Sequence, residues 1–138
     1  MPSAALNHQE FAKNLLASQA AAPTNAGLMG PYRLGFDEIE RVVRLTAPGV
    51  LALGFCGGDD RFNIRHIGRS DDDIRAQLRA YIGSETQFKF GYCLSPQAAF
   101  EKECELFHDF RPPCTRLHPS RALATDWTCP RCRIFPRL

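Results

Sequence analysis

Long hydrophobic runs are missing from this 138-residue chain. No stretch approaches the ~20 consecutive apolar residues of a membrane-crossing helix, so a helical integral membrane protein is excluded. The first residues, Met1-Pro2-Ser3-Ala4-Ala5-Leu6-Asn7-His8, carry neither basic residues nor an apolar core. No secretory leader is therefore expected, and the compartment is read as cytoplasmic. There is no internal repeat, which argues against a solenoid. Lysine is scarce, with three against fourteen arginines. A second C-x-x-C is also absent. In a reducing compartment the six cysteines are read as thiols or metal ligands rather than disulfides.

What is present is ordinary for a globular fold. Hydrophobic residues make up 44% and charged residues 23% of the chain, which argues against wholesale disorder. The length suits one domain with extensions. The net charge of +2 hides an asymmetry: residues 111–138 hold six arginines against Asp126 alone. Guanidinium groups suit bidentate contact with phosphate, although a solvated basic tail is an equally common use of such a segment.

Three segments follow from the patterning. Residues 1–30 read as an N-terminal arm and linker. Asn7 and Glu10 form a capping box there, Phe11, Leu15 and Leu16 an apolar stripe, and residues 23–35 a Gly/Pro-rich connection. Residues 31–111 read as the core. A short helix is expected from Asp37 with Ile39, Val42 and Val43 inward. Val50–Phe55 is an apolar strand, Gly57-Gly58-Asp59-Asp60 a turn, and Phe62–Ile67 a second strand, together a hairpin. Ser70 and Asp73 look like a helix cap before Ile74, Leu78, Tyr81 and Ile82. Phe88, Phe90, Tyr92 and Leu94 alternate as a third strand. Ser95-Pro96 opens a helix to about Phe110, where Pro112-Pro113 stop it. Residues 112–138 read as a basic Pro/Arg-rich tail. The order predicts an α+β fold, a small three-stranded antiparallel sheet flanked by helices.

Within the last helix Ala99, Phe100, Leu106, Phe107 and Phe110 share one face. Glu103 falls in the middle of that stripe. A carboxylate there needs a partner: an arginine, a set of donors, or a divalent cation at the floor of a cleft.

The tail contains Cys129-Pro130-Arg131-Cys132, by itself a redox pair or a zinc half-site. Cys104 and His108 stand four apart on the last helix and project to one side of it. A tail folded back over that helix completes a Cys₃His zinc site from Cys104, Cys129, Cys132 and one histidine, with His108 and His118 as alternatives and Cys114 as a rival ligand. The zinc would be structural, clipping a tail of low apolar content. Cys56 and Cys93 read as packed thiols.

Taken in order, Gly49-Val50-Leu51, the hairpin partner His66-Ile67-Gly68, then Arg69-Ser70, an amphipathic helix, a strand and Ala99-Phe100-Glu101-Lys102-Glu103 resemble the GIY-YIG nuclease superfamily over roughly residues 47–110. The resemblance implies a three-stranded antiparallel sheet, metal-dependent phosphodiester hydrolysis, and Glu103 as the ligand of a catalytic magnesium or manganese ion. It places Leu51 and His66 where the family carries tyrosines, and Gln77 where it carries an arginine. On this reading His66 activates water. Gln77 and a nearby arginine such as Arg69 contact the phosphate. Arg116, Arg121, Arg131 and Arg133 of the tail track the backbone of a nucleic acid, DNA in preference to RNA. The expected function is thus a divergent GIY-YIG-type endonuclease. The alternative is a catalytically inactive module of that fold that binds nucleic acid or a protein, with structural zinc and with Glu103 held by an internal partner such as an arginine.

Overall fold

A computed structural model describes residues 27–132 of the chain. The helix expected over residues 7–22 and the tail arginine Arg133 lie outside the described residues. Seven elements follow one another: β1 (Met29–Arg33), α1 (Phe36–Val42), β2 (Gly49–Cys56), β3 (Phe62–Ser70), α2 (Ile74–Ala80), β4 (Gln87–Tyr92) and α3 (Pro96–Phe110).

The sheet has four strands in the order β1-β4-β2-β3, every pairing antiparallel. The expectation of three strands is corrected by β1, which runs through the stretch read as a linker and straddles the expected boundary at residue 30. Met29-Gly30-Pro31-Tyr32-Arg33 lacks the alternation that marks a strand, and Gly and Pro are depleted in strand interiors. It survives as an edge strand, where proline is tolerated, and Tyr32 packs against Phe88 at 5.6 Å between ring centroids.

Helices cover both faces of the sheet. On one face Leu51, Leu53, Phe88, Phe90 and Tyr92 pack with Ile39 and Val43 of α1 and Ile74 and Leu78 of α2. On the other, Val50, Ala52 and Ile67 pack with Ala99 and Leu106 of α3. This double coverage explains why β2 is a continuous apolar run, buried from Gly49 to Gly54, rather than an alternating one. At Gly49 a Cβ would stand 2.5 Å from the Gly91 carbonyl oxygen and 3.1 Å from the Ile74 Cβ. The first glycine of the tripeptide that prompted the family resemblance is thus required by close packing of backbone and helix.

The helix starts show how local chemistry sets boundaries. Asp73, rather than Ser70, caps α2: its Oδ1 accepts from the amides of Arg75 at 3.1 Å and Ala76 at 3.3 Å. Ser70 instead holds the preceding turn, its Oγ accepting from the Asp73 amide at 2.9 Å. Ser95 caps α3 through the Ala98 amide at 3.1 Å, with Pro96 in the first turn. Arg111 in a left-handed conformation ends α3, and Pro112 follows. From there to Cys132 the chain forms no helix or strand, yet it does not wander. The Cys114 amide donates to the Arg65 carbonyl of β3 at 2.8 Å. Thr115 Oγ1 accepts from the Ile67 amide at 3.0 Å. The tail therefore covers part of the open edge of β3, which leaves fewer unpaired backbone groups there.

No helix among the described residues is long and apolar enough to cross a membrane.

Candidate metal centre and adjoining cleft

The last turn of α3 and the tail meet at four side chains. His108 comes from the helix, His118 from the loop, and Cys129 and Cys132 from the C-x-x-C turn. One donor atom from each lies within 4.8 Å of all the others. Cys129 Sγ stands 3.5 Å from His108 Nε2, and Cys132 Sγ 3.3 Å from His118 Nε2. Metal bonds of about 2.0–2.3 Å in a tetrahedron put neighbouring donors about 3.3–3.8 Å apart, so both contacts have the size such a site needs.

The surroundings suit metal-ligand forms. His118 Nδ1 lies 2.9 Å from the Pro119 carbonyl. A carbonyl only accepts, so Nδ1 carries the proton and Nε2 turns its lone pair inward. The Arg131 amide donates to Cys129 Sγ at 3.3 Å. Desolvation, with the positive charges of Arg131 and Arg111 nearby, lowers the His108 pKa and favours its neutral ring. These four residues could together hold a metal ion such as zinc.

The ligand set differs from the expected Cys₃His. Both histidines converge, and Cys104 stands outside the four. One turn before His108, it is buried with Phe100 and Cys129 as the floor beneath the cluster. Burial pushes its thiol far above the usual range. The i,i+4 spacing does place Cys104 and His108 on one side of α3, but the tail packs Cys129 and Trp127 against Phe100 and Cys104 and brings His118, Cys129 and Cys132 together around His108. Cys114 is exposed, bonded to Arg65 and not among the four. Cys93 is a buried thiol as expected, whereas Cys56 is exposed at the end of β2.

On the other side of Trp127 the edge of β3 opens into a cleft of about 500 Å³, lined by residues of β3, α2, α3 and the tail. His66, Arg69, Gln77 and Glu103, the four candidates for catalysis, all line it. Leu51 does not. It is fully buried between the sheet and the two short helices. Arg75 and Arg79 turn away toward α1, where they form ion pairs with Glu40.

Glu103 already has its partner. Arg69 Nη1 donates to Glu103 Oε1 at 2.7 Å, and Arg69 Nε to Asp71 Oδ1 at 2.8 Å. Both ends of the Arg69–Glu103 pair are largely buried, with side chains 12% and 10% exposed. The guanidinium also lies 5.1 Å from the Phe100 ring centroid and 6.0 Å from that of Trp127. Burial pushes the Glu103 carboxyl up and Arg69 opposes it. Asp71 and Asp72 add to the lining, so the cleft is acidic on balance and repels phosphate unless a cation enters.

His66 is held differently. Its Nδ1 lies 3.1 Å from Thr115 Oγ1. Its Nε2 is buried without a hydrogen-bond partner. Desolvation lowers its pKa from the usual 6.5. The native chain therefore keeps His66 neutral where the unfolded chain takes up a proton. Stability should fall as pH drops from about 6.5 toward the lower native value. Urea titrations across that interval should give a shallower decline for His66→Gln than for wild type.

Tyr81, Thr115 and Ser120 also line the cleft, beyond the residues that the sequence marks as site candidates. Tyr81 reads as core from its place in the apolar stripe of α2, and its ring does pack 4.8 Å from His66. Thr115 and Ser120 gain their place only from the path of the tail, for which the sequence carries no periodic signal. The tail arginines divide. Arg111, Arg116 and Arg131 are exposed, but Arg131 donates to Asp109 at 2.7 Å and the half-buried Arg121 to the Trp127 carbonyl at 3.1 Å. Those two are engaged in holding the tail.

No family model, no curated protein and no solved structure matches this chain.

Proposed function

We propose that the chain is a GIY-YIG-like module that no longer cleaves and that binds nucleic acid, with a structural zinc ion at His108, His118, Cys129 and Cys132. The observation that carries this reading is the Arg69–Glu103 pair at 2.7 Å. A carboxylate already neutralised by a guanidinium in a poorly solvated site is not available to bind magnesium or manganese without breaking a charge-assisted bond. Leucine and glutamine at the tyrosine and arginine positions remove two further groups that the reaction needs, each a loss of about two to three orders of magnitude in rate. The acidic cleft directs phosphate contact to Arg111 and Arg116, exposed arginines of the tail that are not engaged as Arg131 is with Asp109. DNA is the favoured nucleic acid.

Binding to duplex and branched DNA and to RNA, measured against salt concentration, tests the reading. Binding should weaken steeply with salt, and Arg116→Ala should lower the salt slope by about one. Salt-independent binding, or none to any of the nucleic acids, would remove nucleic acid as the partner.

A divergent endonuclease remains the second reading, and one observation favours it. His66 combines a fixed Nδ1 with an unpartnered Nε2 in the same cleft as Glu103, the disposition of a general base. Metal-dependent cleavage abolished by both His66→Ala and Glu103→Gln would establish it.

A further inference from the structure

The metal centre and the cleft share a wall. Thr115 and Ser120, which line the cleft, lie three residues before and two after the ligand His118. Trp127, the only tryptophan in the chain, lies two residues before the ligand Cys129. Its ring packs 5.6 Å from Phe100 and beside the Arg69 guanidinium that holds Glu103.

Besides the hydrogen bonds of Cys114 and Thr115 to β3 and those of Arg121 and Arg131, little packing keeps this wall in place. Residues 112–132 form no helix or strand. Two of their leucines are turned out to solvent, Leu117 at 84% and Leu123 at 97% exposed. The apolar contribution of the segment to the described core is the small cluster of Phe100, Cys104 and Cys129 with Trp127 and Cys132. A segment with so few buried apolar contacts is held at the low end of local stability. A metal bound by three ligands from it and one from α3 would contribute most of its ordering free energy.

We propose that metal occupancy of the His₂Cys₂ centre controls the cleft: zinc folds residues 112–132 against β3 as a wall, and the metal-free chain has an open β3 edge in its place. The inference rests on the metal reading of the centre. Its consequence is specific. Without zinc, Thr115 leaves the Ile67 amide and the His66 ring, Ser120 leaves the cleft, and Trp127 leaves Arg69 and Phe100. What the cleft binds is then gated by zinc supply.

Amide hydrogen exchange on the full chain, with and without a strong chelator, tests this. Ile67 is the reporter, because its amide donates to Thr115 Oγ1 rather than to a neighbouring strand. Removing zinc should speed Ile67 exchange by about tenfold or more while the amides of β2 stay protected. The emission of Trp127 should shift toward that of a solvated indole, and restoring zinc should reverse both. Thr115→Val should give fast Ile67 exchange with zinc content and Trp127 emission unchanged, which separates the wall contact from metal binding. A chain that holds one equivalent of zinc but whose Ile67 exchange does not respond to its removal would overturn the proposal and leave the metal reading intact. Equal loss of protection at Ile67 and throughout β2 would also overturn it. A chain that takes up no zinc would overturn both.

Discussion

Glu103→Ala should destabilise the protein by about 2–4 kcal/mol. The mutation leaves the Arg69 guanidinium largely buried with one of its two carboxylate partners gone, and breaking one side of a buried pair is among the costlier single changes. Asp71 remains bonded to Arg69 Nε at 2.8 Å, which keeps the loss below that of a fully orphaned charge. Arg69→Met should cost a comparable amount, since it also removes the cation over the Phe100 and Trp127 rings. The double variant should cost clearly less than the sum of the two, with a coupling of about 1–3 kcal/mol in a urea-denaturation cycle. Additive costs would mean that the two side chains do not act as a pair in solution. A glutamate whose purpose was to hold a catalytic metal would show the opposite pattern, because removing a carboxylate from a metal-free acidic cleft relieves repulsion from Asp71 and Asp72.

Zinc removal is the second large effect. At free zinc about a thousandfold above the dissociation constant, the bound ion contributes about 4 kcal/mol to folding. For a domain of this size that is a drop in Tm of roughly 10–20 °C on chelation. Cys132→Ser should lower Tm in the same way and should release the metal. Cys104→Ser should leave one equivalent of zinc in place, because Cys104 lies beneath the cluster instead of within it. Loss of zinc from the Cys104 variant would restore the three-cysteine set that the sequence suggests. Identical melting curves with and without a chelator would contradict a structural metal.

The legible parts of this fold were those with a local signature. The β2–β3 hairpin announced itself through an apolar run, a Gly-Gly-Asp-Asp turn and a second strand. The helix over Pro96–Phe110 announced itself through Ser95-Pro96 at one end and Pro112-Pro113 at the other. Glu103 was recognisable as a misplaced charge because helical periodicity puts it among Ala99, Phe100 and Leu106, and it is buried there. That it needed a partner followed from electrostatics alone. Which partner it took did not. Arg69 reaches it from the neighbouring strand across 34 positions of sequence, and no spacing rule connects the two. β1 was missed because its stability comes from pairing with β4 and packing on Phe88 and Phe90, not from its own composition. The metal centre was half legible. The C-x-x-C pair and the histidines were evident, but choosing among Cys104, His108 and His118 requires knowing how the tail packs on α3. Phe107 and Phe110, read as core, end half-buried and exposed; the Phe107 ring packs against His118 of the tail, 5.5 Å between centroids.

A cleavage assay tests the central claim most directly. Zinc-loaded wild type and Glu103→Gln would be incubated side by side with plasmid, branched DNA and RNA in magnesium and in manganese. Glutamine keeps an acceptor for Arg69, so both proteins stay folded. The expected result is no cleavage by either protein in either metal, together with salt-sensitive binding by both. Metal-dependent cleavage by wild type that Glu103→Gln abolishes would contradict the account: Glu103 would then leave Arg69 to hold a catalytic ion.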